Sequence, residues 1–178
     1  MMIKNRLFLM AIALPFYLVA PSGSAQNPAP SGFPAVGPQP DPYVVVEANT
    51  AGDKARAAVA FLQMAFNQKK VAEAFKLYVG PYYKQHATMV PDGAEILIKL
   101  ITEHLKHDNV DYYVKRTLVD GDLVTVHSYQ TQSSMAKPDV IRGFNEIDMF
   151  RFENGKIVEH WSSHEPVPEK SANANTMF

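Results

Sequence analysis

The sequence predicts an α+β domain, a cone-shaped roll in which three N-terminal helices pack on a curved antiparallel sheet. Two observations carry this expectation. Apolar residues recur at helical spacing only before Asn109, and after it the chain turns to alternating β-formers interrupted by Asp120-Gly121 and Asn154-Gly155. A third observation is length: from Val44 onward there are about 130 residues, enough for one domain with its own core.

The helices are read in order. In DKARAAVAFLQMAFNQ, starting at Asp53, the residues Ala57, Phe61, Met64 and Ala65 lie on one helical face. KVAEAFKLYVG continues as a second helix that closes on Gly80. Before the third, Asp92 with Glu95 three residues later reads as a capping box, and Ile96, Leu97, Leu100, Ile101 and Leu105 form its apolar stripe. The strands then fall into two hairpins. DYYVKRTLV and DLVTVHSYQTQ flank Asp120-Gly121, while IRGFNEIDMFRFE and KIVEHWSSHE flank Asn154-Gly155, and these dipeptides favour two-residue turns.

The N-terminal part reads differently. Residues 1–25 combine Lys4 and Arg6, the apolar run Leu7 to Ala20 and the small residues Gly23-Ser24-Ala25, the pattern of an export signal. Residues 26–43 hold six prolines and read as a tether, leaving residues 44–178 as the folded domain. An exported chain, periplasmic or secreted, is therefore expected, with no membrane attachment after signal cleavage. Cleavage lowers Lys+Arg from 17 to 15 against 18 Asp+Glu, a formal charge of −3. That balance argues against a nucleic-acid partner. With no cysteine, the fold must be stable on packing alone.

Two-residue turns fix register and so assign faces. Around Asn154-Gly155, direct pairing places Asp148 opposite Trp161 and puts Asp148, Phe150, Phe152, Ile157, Glu159 and Trp161 on one face. His160, Ser162 and His164 then turn to the other. Around Asp120-Gly121, the same construction gathers Tyr112, Val114, Leu118, Leu123, His127 and Tyr129. If both aromatic-rich faces look toward the helices, Asp148 and His127 share one enclosed concavity. An Asp walled by aromatic rings is suited to proton transfer next to a carbonyl, with His127 as its partner or shuttle. The remaining face, with Ile147, Met149, Val158, Thr117, Val124 and Val126, is too apolar for water and predicts a homodimer with Arg151 and His160 at or near the contact.

No metal site is expected. The spacing of His160 and His164 brings ligands together on a helix but separates them by about 13 Å on a strand. His104 and His107, with Glu103, read as a solvated helix end.

Several stretches together, YKQH at 83–86, PDG at 91–93, VDGDLVTVH at 119–127, EIDMFRFENGKIVEHW at 146–161 and PVPE at 166–169, resemble the SnoaL-like polyketide cyclase family. The likeness is to its bacterial aldol-condensation branch, within the nuclear-transport-factor-like superfamily of α+β cones. This resemblance implies Asp148 as the acid/base residue, His127 as the strand histidine, and Tyr83, Gln85 and His86 at the pocket mouth. Two positions depart from the family pattern: Ala87-Thr88 stands where Asn-Pro is usual, and Trp161 to Pro166 lacks the usual Asp and Gln.

The resulting expectation is an enzyme without a cofactor that acts on a small hydrophobic carbonyl compound by aldol condensation or cyclisation, isomerisation or dehydration. Asp148 and His127 would be catalytic, with His86, Tyr83, Gln85, Tyr129, Tyr112, Phe150, Glu159 and Trp161 around the substrate. The alternatives are a non-catalytic periplasmic small-molecule-binding protein on the same cone, and a structural dimer module that presents its helices to a partner.

Overall fold

The computed structural model describes residues 48–178; the expected signal segment, the tether and residues 44–47 lie outside them. Helix α1, Ala51–Leu62, starts on Thr50, whose hydroxyl accepts from Asp53 N while Asp53 reaches back to Thr50 N, a reciprocal cap. A π-helical turn, Gln63–Asn67, then leads to α2, Val71–Tyr78. Strand β1, Val79–Gln85, follows directly, and α3, Ala94–His104, precedes four long strands. These are β2, Asp108–Asp120; β3, Leu123–Ser134; β4, Lys137–Glu153; and β5, Lys156–Pro166.

The five strands are ordered β1-β5-β4-β3-β2, antiparallel except for β1, which runs parallel to β5. The fold class is the α+β cone expected from the sequence, with β1 as an added parallel strand. Phe61, Leu62, Met64, Phe75 and Leu97 from the helical layer meet Val124, Val126, Phe150 and Ile157 from the sheet, all of them buried. Ring edges of Phe61 meet Phe75 and Phe150 at 5.1 and 5.8 Å, a geometry favoured by aromatic quadrupoles.

The N-terminus of α3 differs from the capping box expected there. Gly93, at φ +107°, is the capping residue, and the Asp92 carboxylate instead accepts from Gln85 N at 2.7 Å. Asp92 thereby ties the end of β1 to the start of α3.

Register departs from the direct construction in both hairpins. The first turn is Gly121-Asp122, one residue later than expected, with Asp120 opposite Leu123. Gly-Asp is as good a two-residue turn as Asp-Gly. The faces change at a β-bulge on Lys115: past it Val114 opposes Ser128 and Tyr112 opposes Gln130, so Tyr112 and Val114 join Val124, Val126 and Ser128 toward the helices, while His127 and Tyr129 stay with Leu118 and Leu123 on the outer face.

In the second hairpin Phe152 opposes Ile157, but Arg151 opposes Glu159, so Val158 is an extra residue, a β-bulge. Past the bulge Phe150 faces His160, Met149 faces Trp161 and Asp148 faces Ser162. Hence His160, Ser162 and His164 share the face of Asp148, whereas Glu159 and Trp161 lie on the opposite face.

Gly80 on β1 accommodates the bulge. A Cβ placed there would lie 2.9 Å from Val158 Cγ1, closer than packed carbons approach. Gly80→Ala is expected to destabilise the domain by about 1–3 kcal/mol. In urea unfolding the Gly80→Ala/Val158→Ala pair should cost less than the sum of the single changes, because both act on one contact.

Candidate functional site

Between the helices and the concave face of the sheet lies a cavity of about 480 Å³. Its walls are apolar: Phe61, Leu62, Phe66 and Phe75 from the first helices, Leu97 and Ile101 from α3, and Phe150 from β4. A few polar groups interrupt them, the pattern of a small-molecule site.

Asp148 is the most buried of these groups at 2% exposure. His160 Nε2 donates to its Oδ1 at 2.9 Å, and the imidazole is stacked on Phe150 with ring centres 4.8 Å apart. Tyr83 stands on another side of that imidazole, its ring centre 6.4 Å away. Asp148 Oδ2 and His160 Nδ1 are buried without a hydrogen-bond partner, as is Ser128 Oγ on the same sheet face. The two orphaned atoms of Asp148 and His160, on one wall of the cavity, mark a place where the protein leaves hydrogen bonds for something else to make.

Glu146, two residues before Asp148 on the same strand face, is also buried and lines the cavity. Burial and, second, the neighbouring Asp148 push its carboxyl up to about 9, so it holds a proton at neutral pH. His164 Nδ1 lies 4.0 Å from Glu146 Oε2, and burial lowers that imidazole's affinity for a second proton. Burial, then the Asp148 charge, raises Tyr83 and Tyr112, which therefore remain hydrogen-bond donors. Asn67 fixes Tyr112: its amide bonds both the backbone N and O of Tyr112 at 3.0 and 3.2 Å, satisfying the free edge of β2.

The residues expected at the site divide into two groups. Asp148, Phe150, Tyr83, Tyr112, Gln85 and His86 line the cavity. His127 does not: it faces outward, bonds Asn145 Oδ1 at 2.6 Å and lies beside Phe178, so the expected Asp148–His127 pair is replaced by Asp148–His160. Tyr129 is also on the outer face, against Phe178 and over Gly143. Trp161 and Glu159, displaced by the bulge, instead hold His86. The His86 ring stacks on Trp161 at 4.4 Å and 8°, and its Nε2 donates to Glu159 Oε1 at 2.7 Å. Arg151 shares Glu159, and these two partners hold its carboxyl down to about 2.

The titratable and amide residues of the cavity missing from the expected set are His160, Glu146, His164, His104, Gln130 and Gln132. The bulge that admits His160 and His164 has a trace in the sequence, since Ile157 and Val158 are adjacent apolar residues where strict alternation allows one. Glu146 follows from period two once Asp148 is placed.

Solved structures share this architecture. A candidate polyketide cyclase from Bacillus cereus is 25% identical over 64% of this chain and 74% of its own, with a TM-score of 0.54. An LEH-like epoxide hydrolase from M. tuberculosis is 15% identical, covering 65% and 84%, with a TM-score of 0.55. An NTF2-like protein from Burkholderia xenovorans is 10% identical, covering 65% and 92%, with a TM-score of 0.53. The fold is that of the SnoaL-like NTF2 superfamily. No protein-family model and no curated protein matches the sequence.

The raised Glu146 gives stability a pH dependence. The folded state keeps this proton while the unfolded chain loses it from about 4.5 upward, so the contribution is complete at low pH and is lost as pH rises toward about 9. Glu146→Gln, which cannot ionise, should therefore unfold at higher urea than wild type at about pH 8, by about 1–3 kcal/mol, with the gap closing near about pH 4.

Proposed function

We propose that this chain is an acid/base enzyme that moves protons on a small hydrophobic carbonyl compound, using its own side chains and no cofactor. The observation that carries the reading is the buried Asp148–His160 pair, with an unpartnered carboxylate oxygen, set two residues from a protonated Glu146 in one apolar cavity. Asp148 Oδ2 takes the proton from the carbon next to the carbonyl. The C–H electron pair moves to form the C=C bond of an enol or enolate, and the carbonyl oxygen gains the charge or a proton. Neutral Glu146 and the Tyr112 hydroxyl are the donors for that oxygen, since both keep their protons at neutral pH. His160 holds the Asp148 carboxylate through Oδ1 and leaves Oδ2 for the substrate.

From the enol, return of the proton to a different carbon gives isomerisation. Attack of the enolate carbon on a second carbonyl gives aldol cyclisation, and loss of a β-hydroxyl gives dehydration. The likeness to a candidate polyketide cyclase supports this range of reactions, because ring closure by such enzymes requires the same carbon acid step.

The same proposal has two further parts. The enzyme works outside the cytoplasm, periplasmic or secreted, after its N-terminal segment is removed. It acts as a homodimer through the outer sheet face, although that face is not composed as first expected. Val124 and Val126 are fully buried under the helices and His160 is in the cavity, so the outward apolar residues include Ile147, Met149, Leu118 and Tyr113, with Tyr129 and Trp161 beside them.

Asp148→Asn is expected to lower turnover of a responsive carbonyl substrate by about two to four orders of magnitude with little change in binding. Equal turnover by the two proteins in a stopped-flow assay would remove Asp148 from the mechanism. For the dimer, light scattering after size exclusion should give twice the chain mass for wild type and a single chain for Met149→Glu/Ile147→Glu, since like charges facing across a two-fold contact repel.

A further inference from the structure

Beyond β5 the chain folds back onto its own sheet. Residues 167–178 contain no helix or strand and start beside β4, where Val167 N donates to Gly143 O at 2.9 Å. Residues 167–176 are all exposed, whereas Met177 and Phe178 are half-buried. Phe178 sits on the outer face. Its ring meets Tyr129 edge-on with centres 5.0 Å apart, lies 5.9 Å from the His127 ring, and has the Lys115 ammonium 5.7 Å from its centre. The ledge beneath it is built from the sheet itself. Tyr113 stacks on Tyr129 at 6.0 Å, and the Tyr129 ring lies over Gly143, where a Cβ would come within 2.7 Å of Cε2.

This ledge shares ground with the dimer contact. On β4, Ile147 lies directly opposite His127 and Asn145 opposite Tyr129, so Phe178 sits beside the row that carries Ile147 and Met149. Two sheets packed face to face are about 10 Å apart, a gap that the side chains of the two faces fill by themselves. A segment lying over His127 leaves a second sheet no room there. The segment is also held weakly. Ordering its twelve residues costs conformational entropy along the whole length, while burial is regained at Met177 and Phe178 alone. The bonds of Asn173 N to Ser171 Oγ, Asn175 N to Asn173 Oδ1 and Phe178 N to Thr176 Oγ1 are local turns that do not need the sheet. Docked and released forms therefore lie close in free energy, the condition for exchanging one for the other.

We propose that residues 167–178 are a built-in competitor of self-association: with Phe178 on the Tyr129–His127 ledge the outer face is closed, and with Phe178 released the same face receives a second copy of the chain. This rests on the sheet-to-sheet dimer proposed above. Because both protomers must open, the open fraction enters twice, and a segment docked about nine-tenths of the time weakens the dimer about a hundredfold. Wild type then pairs only where concentration outweighs the closed form. The competitor also gives a task to His127 and Tyr129, which proton transfer in the cavity does not use.

Sedimentation velocity over a dilution series of wild type, Phe178→Ser and a chain shortened to Pro168 tests this. Both variants are expected to dimerise about tenfold or more tightly than wild type. The direction is diagnostic, since replacing an apolar ring by a hydroxyl weakens non-specific association. Adding Met149→Glu/Ile147→Glu to the shortened chain should return it to a single chain; a shortened chain still paired with those changes uses another surface and overturns the proposal. So does Phe178→Ser that pairs more weakly than wild type, because the segment would then belong to the interface. If all three chains dimerise equally, the dimer stands and the competitor is lost. If none of them self-associates at any concentration, the dimer reading falls and the competitor with it.

Discussion

A single extra residue in β5 governs what the cavity contains. Val158 bulges from the β4–β5 ladder, and from that point every side chain on β5 changes sides. Without the bulge, Trp161 would stand opposite Asp148 and His160 would look outward. The bulge needs room, and the room is the missing side chain of Gly80 on the parallel strand β1. β1 in turn brings Tyr83 to the flank of His160, and its last residues carry His86 to the cavity rim. Glycine, bulge and parallel edge strand therefore act as one device that assembles the Asp148–His160 pair.

Electrostatics then distribute protons over this assembled wall. Two carboxyl groups two residues apart on one strand face cannot both be ionised cheaply in an apolar cavity. Glu146 keeps its proton, and Asp148 receives the hydrogen bond of His160. Outside the cavity, Glu159 meets the opposite conditions, with His86 and Arg151 as direct partners, and its carboxyl stays ionised well into acid. Carboxylates of similar sequence context thus acquire opposite proton affinities because one sheet face is covered by helices and the other is lined with cations.

Elements with strong local periodicity were legible in the sequence: the three helices, the four long strands and both hairpins follow from spacing and turn residues. β1 was not, because it is seven residues long, begins Val-Gly-Pro and is held by non-local parallel pairing that leaves no local pattern. Face assignment failed where register was not strictly local. Each hairpin contains a bulge, at Lys115 on β2 and at Val158 on β5, so strict alternation puts His127 and Tyr129 with Tyr112, and His160 away from Asp148, by a single residue in each case. Asp148 survived this because β4 itself alternates regularly through Phe144, Glu146, Asp148, Phe150 and Phe152. Its surroundings depended on neighbouring strands and did not.

The stack of His86 on Trp161 gives the molecule an optical property. Trp161 is the sole tryptophan in the chain, and its indole lies nearly parallel to an imidazole at the rim of the cavity. A protonated imidazole accepts an electron from an excited indole and quenches its emission, whereas a neutral or separated one does so weakly. Intrinsic fluorescence therefore reports on a single spot at the cavity rim, uncontaminated by any other indole. Any compound that enters and shifts the segment after β1 changes the colour or brightness of the protein without a label.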